Sequence, residues 1–250
     1  MQIAVGTPMY GGMCADIYKR SVAQLGRMFA SHGHRLLTLD VGNESLIQRA
    51  RNAIAWHAMQ IDDVSHLLWI DADIAVRPQD IVRMLEAQKS IIVAPVPVKQ
   101  INWERVAAAA RSGVPPDQLA AHSGVFNLRF LPGDTAVNMQ EPFEIKHGGT
   151  GVMLVERSVY EKLAPTTEAY VNRLHGSALP LGAKVHNFHP VHVDRSAEDG
   201  DLLPEDYGFC ELWRKVGGTV WAAPWCKVQH AGRYAFSGEF DTTHKPLEAQ

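Results

Sequence analysis

Asp71-Ala72-Asp73 closes the apolar run His66-Leu67-Leu68-Trp69-Ile70 and is the most informative chemical pattern in the chain. Residues two apart in an extended chain point to the same side, so both carboxylates can face one ligand just past the carboxyl end of a buried strand. Two unneutralised carboxylates at that spacing repel each other. A hard divalent cation with oxygen ligands relieves the repulsion and keeps open positions for phosphate oxygens. The pattern outlines a metal-diphosphate site, although short Asp-x-Asp strings are common and a strand-end turn rich in Asp reads the same way.

Other chemistry-bearing residues can join this pair only through the fold. Glu205-Asp206 open a helix after Pro204, where unpaired amides favour anions whatever the function. Gly148-Gly149-Thr150-Gly151 precedes an apolar strand, and glycine there lets backbone amides approach a ligand. Lys99 and Trp103 follow another strand and offer a phosphate contact and a stacking face, or plain surface packing. Arg51 either meets the ligand, holds Asp71, or pairs at i,i+4 on a helix surface. His175, His186, His189 and His192 crowd one stretch without the spacing of a helical metal pair, so they read as part of a flexible lid and not as a second metal centre.

The elements that must position these groups follow from periodicity. Residues 2–6 read as a buried strand, followed by the turn Gly6-Thr7-Pro8-Met9-Tyr10-Gly11-Gly12. The apolar positions Ile17, Val22, Leu25, Met28 and Phe29 recur at helical steps and predict a helix over 16–31, stopped by Gly33. A strand over 34–40, a helix over 45–60 capped by Ser45, the Asp-x-Asp strand, a helix over 78–88 opened by Pro78, and a strand over 90–94 complete an alternating pattern. Four strands alternating with three helices predict a mostly parallel α/β sheet covered on both faces, with the ligand at the strands' carboxyl ends. Beyond Pro95 the pattern loosens: helices over 107–111, 115–122, 158–163 and 204–216, and strands over 125–130, 143–146, 151–155 and 219–221. Residues 165–200 are rich in Pro, His, Gly and Asp and read as a long functional loop outside the core.

Bulk properties bound the answer. A chain of 250 residues suits one α/β domain, here expected over 1–250 with a ligand-binding half at 1–98 and a second half at 99–250. Net charge −3 and a pI near 6.4 provide no global basic field for nucleic acid or anionic membrane. No basic leader precedes an apolar core at the start, and no run of about 18 apolar residues exists, so a soluble, cytoplasmic protein without a transmembrane anchor is expected. Cys14, Cys210 and Cys226 fit neither a disulfide framework nor a CxxC metal site and are expected to be buried or half-buried thiols.

Taken in order, the TPMYGG turn, Ser45-Leu46-Ile47-Gln48-Arg49-Ala50-Arg51-Asn52, the LLWIDADI strand, Gly148-Gly149-Thr150-Gly151, Pro204-Glu205-Asp206-Tyr207-Gly208-Phe209-Cys210 and Gln229-His230-Ala231-Gly232 resemble the GT-A-fold, nucleotide-sugar-dependent glycosyltransferases, including the fungal mannan-polymerase type. The resemblance spans most of the chain and implies a Rossmann-like GT-A fold with a second-half acceptor region. It implies that Thr7, Pro8 and Tyr10 border the nucleoside, with Arg51, Asn52, Lys99, Gly149 and Thr150 completing the donor site. Asp73 is implied to bind Mn²⁺ or Mg²⁺ directly, with Asp71 on the ribose or on the metal through water. His230 matches the C-terminal histidine that completes the metal shell in many members, and imidazole favours Mn²⁺ over Mg²⁺. In inverting members the xED aspartate deprotonates the acceptor hydroxyl, which makes Asp206 the candidate base and Glu205 its acceptor- or sugar-binding neighbour. In a retaining member no dedicated base is needed, and Asp206 would support sugar or acceptor instead.

The expected activity is metal-dependent transfer of a sugar, a hexose first of all, from a UDP- or GDP-linked donor to an acceptor hydroxyl. The acceptor stays open among glycan, protein, small molecule and modified nucleobase. A nucleotidyltransferase or a catalytically inactive nucleotide-sugar-binding module are the alternatives. A haloacid dehalogenase-type phosphatase also uses Asp-x-Asp, but usually on the first strand, whereas two βα units precede it here.

Overall fold

The computed structural model describes residues 1–133, 138–194 and 200–233. The first part alternates as expected, with two exceptions: β1 (Gln2–Met9), α1 (Asp16–Ser31), β2 (Arg35–Gly42), α2 (Ile47–Met59), β3 (Val64–Ile70), β4 (Ile74–Val76), α3 (Pro78–Glu86) and β5 (Ile91–Val93). Strand β1 runs on through Thr7, Pro8 and Met9, read as a turn, and a short β4 follows β3. The second part adds α4 (Trp103–Arg111), β6 (Leu128–Arg129), β7 (Phe143–Ile145), β8 (His147–Gly148), β9 (Val152–Glu156), α5 (Arg157–Leu163), β10 (Ala169–Val171) and β11 (Lys184–His186). It ends with β12 (His192–Asp194), β13 (Asp201–Leu203), α6 (Glu205–Lys215), β14 (Val220–Ala222) and β15 (Val228–His230).

A seven-stranded sheet runs β2-β1-β3-β9-β5-β14-β7. Strands β1, β2, β3, β5 and β14 point one way, and β9 and β7 point the other. The expected mostly parallel α/β sheet with helices on both faces is the observed one. Period-2 alternation explains why both faces are covered. Ala4, Leu67, Trp69, Met153 and Val155 face a core built with α2, α5 and α6. Their neighbours Ile3, Val5, Leu68, Ile70, Val152 and Leu154 face a second core built with α1 and α3. Gly6 is where α2 crosses β1 most closely: a Cβ there would meet Ile54 Cγ2 at 2.7 Å and the Trp69 ring at 2.9 Å.

Several local expectations need correction. Helix α1 buries Tyr18, Ser21, Leu25 and Phe29, a stripe rotated from the one read off the apolar residues. Ser21 tolerates burial because its hydroxyl donates to the Val76 carbonyl at 3.1 Å and accepts from the Val76 amide at 2.9 Å. Helix α2 has no side-chain cap from Ser45. Residues 116–122 are helical as expected, in the tighter 3₁₀ form.

The largest correction concerns 165–200, read as a loop outside the core; residues 195–199 lie outside the described residues. The segment instead carries the antiparallel pairs β10/β11 and β12/β13. Val185, Phe188 and His189 are fully or almost fully buried within it. Asn52 on α2 anchors it, its amide nitrogen donating to Asn187 Oδ1 at 2.9 Å and its Oδ1 accepting from the His189 backbone at 3.0 Å. Polar composition hid this packing because the hydrogen bonds come from α2, 135 and 137 positions away. Among the described residues, no helix is long and apolar enough to cross a membrane.

Candidate active site

Asp71 and Asp73 sit where β3 ends, and the chain turns at once into β4. Strand β15 pairs antiparallel with β4, setting His230 opposite Ile74. The Ala231 amide donates to the Asp73 carbonyl at 2.8 Å. This pairing carries the C-terminal histidine to the carboxylates: His230 Nε2 lies 3.3 Å from Asp73 Oδ1. His230 Nδ1 lies 2.8 Å from the Pro97 carbonyl oxygen. A carbonyl only accepts, so Nδ1 carries a proton, and this contact aims the Nε2 edge of the ring at Asp73. The Lys99 ammonium contacts the other oxygen of Asp73, a cation already seated on the carboxylate.

Asp71 is held differently. Arg51 Nη2 donates to Asp71 Oδ1 at 3.0 Å and Arg51 Nε to Glu205 Oε1 at 3.0 Å. The guanidinium is buried and its Cζ lies 5.3 Å from the Trp69 ring centroid. Burial works to lower its pKa, but the two carboxylates outweigh burial and hold it above its ordinary value.

Asp206 occupies the first turn of α6 and is buried. Removal from water, and secondarily the charge of Glu205, push its carboxyl up to about 6, against the pull of the Tyr207 amide and Arg51. Its Oδ1 accepts from the Tyr207 amide at 2.8 Å, and Asn127 Nδ2 donates to Oδ2 at 3.5 Å. The glycine-rich turn sits between the two carboxylates: a Cβ on Gly149 would lie 3.4 Å from Asp206 Oδ2, and one on Gly151 would lie 3.6 Å from Asp71 Oδ2.

These groups share one open cleft of about 880 Å³ at the carboxyl ends of β1, β3 and β5. Pro8, Tyr10, Arg51, Asp71, Asp73, Lys99, Gly149, Thr150, Glu205, Asp206 and His230 all line it. Two expected donor residues do not. Thr7 is buried on β1 with its hydroxyl 2.7 Å from the Tyr18 hydroxyl, and Asn52 is engaged with Asn187 and His189. Trp103 is exposed and lies outside the cleft lining. The reading of Cys14 as a buried or half-buried thiol also fails: it is exposed at the cleft edge, in the turn between β1 and α1.

Sequence reasoning missed Asn127, Tyr207 and Arg233. Asn127 and Arg233 line the cleft, and Tyr207 donates its hydroxyl hydrogen to Asn127 Oδ1. Only the last had a local signal, since it adjoins Asp206. Among the described residues, no three His, Cys, Asp or Glu side chains are grouped closely enough to hold a metal unaided. The residues that fit a cation are Asp73 and His230, a carboxylate oxygen and an imidazole nitrogen facing each other.

No family model matches this sequence, and no curated protein matches it. Solved structures do. A197 from STIV superposes with a TM-score of 0.50 at 11% identity, over 93% of this chain and 87% of that chain, which shows a shared chain path. GalNAc-T7, crystallised with UDP, GalNAc and Mn²⁺, matches with a TM-score of 0.49 at 11% identity over 93% of this chain and 44% of that chain. The catalytic domain of Drosophila β1,4-galactosyltransferase 7, in complex with xylobiose, matches with a TM-score of 0.46 at 10% identity, over 100% of this chain and 82% of that chain.

Proposed function

We propose that the protein is a GT-A-like glycosyltransferase that moves a sugar from a nucleoside diphosphate donor to an acceptor hydroxyl, within a single unit spanning residues 1–250. The observation that carries this reading is the approach of His230 Nε2 to Asp73 Oδ1, 3.3 Å apart, in the cleft that also holds Asp206. A cation on two protein ligands keeps positions free for diphosphate oxygens, as a transferase with a diphosphate leaving group requires. Mn²⁺ or Mg²⁺ would be held by Asp73 and His230 and would neutralise charge developing on the leaving diphosphate. Asp71, tied to Arg51, is left to accept from a ribose or sugar hydroxyl. Pro8 and Tyr10 border the nucleoside at the other end, and Lys99 and Arg233 offer positive charge along the diphosphate.

Asp206 is assigned the base role. A carboxyl near 6 is mostly ionised at neutral pH yet basic enough to take a proton from a hydroxyl made acidic by attack. The acceptor oxygen bonds to the anomeric carbon, its proton passes to Asp206, and the carbon–oxygen bond to the diphosphate breaks with its electrons leaving on the nucleotide. A base in that place favours the inverting course. The fungal mannan-polymerase likeness gains no support from the comparisons, and its retaining course is not part of the proposal.

The test is calorimetry with a panel of UDP- and GDP-sugars, each with Mn²⁺, Mg²⁺ or EDTA, followed by chromatography for released nucleoside diphosphate. Binding of one nucleotide family only with metal, and its release on turnover, supports the reading. Binding without release on turnover favours the inactive module, and absence of any response sinks the reading.

A further inference from the structure

We propose that Asn127 is a positioning residue that orients the Asp206 carboxylate and stabilises its charge, itself locked by Tyr207 and by the bare backbone of Gly149. The inference rests on the base role given to Asp206 above. Its geometry is independent of the donor.

An amide side chain has two ends of similar shape and opposite hydrogen-bonding character, so its neighbours decide which end faces where. Tyr207 keeps its phenolic hydrogen, because burial raises its pKa, and it donates that hydrogen to Asn127 Oδ1. The nitrogen end is thereby turned to Asp206, with Nδ2 3.5 Å from Oδ2. The reversed amide would set a carbonyl oxygen against a carboxylate and leave the phenol facing an NH₂ group. Gly149 makes the contact possible: a Cβ there would lie 2.9 Å from Asn127 Nδ2, within the distance at which atoms must shift. The Asn127 amide donates to the Val96 carbonyl at 3.3 Å, tying the backbone of this residue to the cleft wall.

The charged groups around Asp206 are few and act in opposite directions. Glu205 on the same helix raises its proton affinity, and Arg51 from α2 lowers it. Behind Tyr207, His147 from β8 stacks at 4.9 Å and pairs with Glu211 at 2.5 Å. Arg129 from β6 sits 5.0 Å from the Tyr207 ring and pairs with Asp201 at 2.7 Å. These pairs grip the tyrosine ring, and Asn127 is the neutral donor that reaches Asp206 Oδ2.

The experiment is a carbon-13 carboxyl NMR titration of protein labelled at its aspartate side chains, with the Asp206 signal assigned by its loss in Asp206→Asn. Removing a donor to the charged form raises a carboxyl pKa, so Asn127→Ala should move the Asp206 midpoint up by about half a pH unit or more. Tyr207→Phe, which deletes one oxygen, should move it in the same direction by less. It carries the test if Asn127→Ala does not fold. A midpoint that stays within roughly 0.2 units or moves down in the variant that folds overturns the inference. The titration needs no substrate. If nucleotide sugars fail to bind while the midpoint moves, the transferase reading falls and the Asn127 clamp stands, and the converse outcome removes only the clamp.

Discussion

Arg51 reaches Glu205 across 154 positions of chain, Nε to Oε1 at 3.0 Å. Nη2 of the same guanidinium holds Asp71, so one buried cation ties the strand end carrying Asp71 and Asp73 to the helix carrying Asp206. Planar Arg can serve two carboxylates at fixed angles, which the single point charge of Lys cannot. Arg51→Met leaves Asp71 and Glu205 without their shared partner, and breaking a buried pair from one side costs about 3 kcal/mol or more. Urea unfolding should show that loss, and Arg51→Lys should recover only part of it.

Lys99 contacts Asp73, so on the proposed reading it would compete there with a divalent cation. Lys99→Met should therefore bind Mn²⁺ more tightly in the absence of nucleotide, roughly fivefold for a contact worth about 1 kcal/mol. Asp73→Asn and His230→Ala should abolish metal-dependent nucleotide binding while leaving melting temperature without metal little changed. Calorimetry with Mn²⁺ alone separates these outcomes. A Lys99→Met protein with unchanged affinity would mean that the ammonium does not hold the site.

With the proposed base role, Asp206 would trade stability for activity. Its folded-state carboxyl, near 6, lies above the unfolded value of about 3.9, so the native state binds the proton more tightly and loses stability as pH rises between those values. At neutral pH the cost is about 2–3 kcal/mol. Asp206→Asn should be more stable than the parent at pH 7 by up to that amount and show no gain below about pH 4. Sugar transfer should be lost in the same variant, and the parent's kcat/KM should fall as pH drops through about 6.

His189 acts with the opposite pH sign. Burial, and then the nearby charge of Arg51, hold its pKa well below 6.5, and the ring packs on Phe209 at 4.7 Å and edge-on to Trp69 at 5.3 Å. The unfolded chain takes up a proton below about 6.5 that the folded chain refuses, so this residue contributes a loss of stability as pH falls from there. Stability curves of His189→Phe should flatten between about pH 6.5 and 5 relative to the parent. An unchanged slope would place His189 in contact with water.

Gly208→Ala tests the packing of the segment misread as a loop. A Cβ at 208 would fall 2.0 Å from the Pro190 carbonyl oxygen, a backbone atom that cannot rotate away. Overpacking of this kind costs about 1–3 kcal/mol and sometimes more. The variant should lose that much in denaturant titrations, or fail to accumulate as soluble protein. Full stability would show that residues 187–190 move freely.

Much of the scaffold was legible before folding. The apolar runs of β1, β3 and β9 report directly on burial, because a strand covered on both faces must be apolar, whereas helical spacing marked the extent of α1 and not the stripe it buries. Asp71 and Asp73 were readable for the same reason: two carboxylates abruptly ending a buried strand conflict with their surroundings unless a ligand resolves the conflict. Asn52 and Thr7 look like site residues in sequence and turn out to serve packing, since nothing local says which side of α2 or β1 they face.

What the tertiary structure alone decided are the pairings that cross large separations. His230 reaches Asp73 only because β15 pairs with β4, and Asn127 reaches Asp206 across 79 positions through contacts neither residue's neighbours announce. His189 was drawn into the core by Asn52 although its segment is polar in composition. Periodicity encodes local burial, whereas the partner of a buried polar group is set by where the rest of the chain places its matching donor or acceptor.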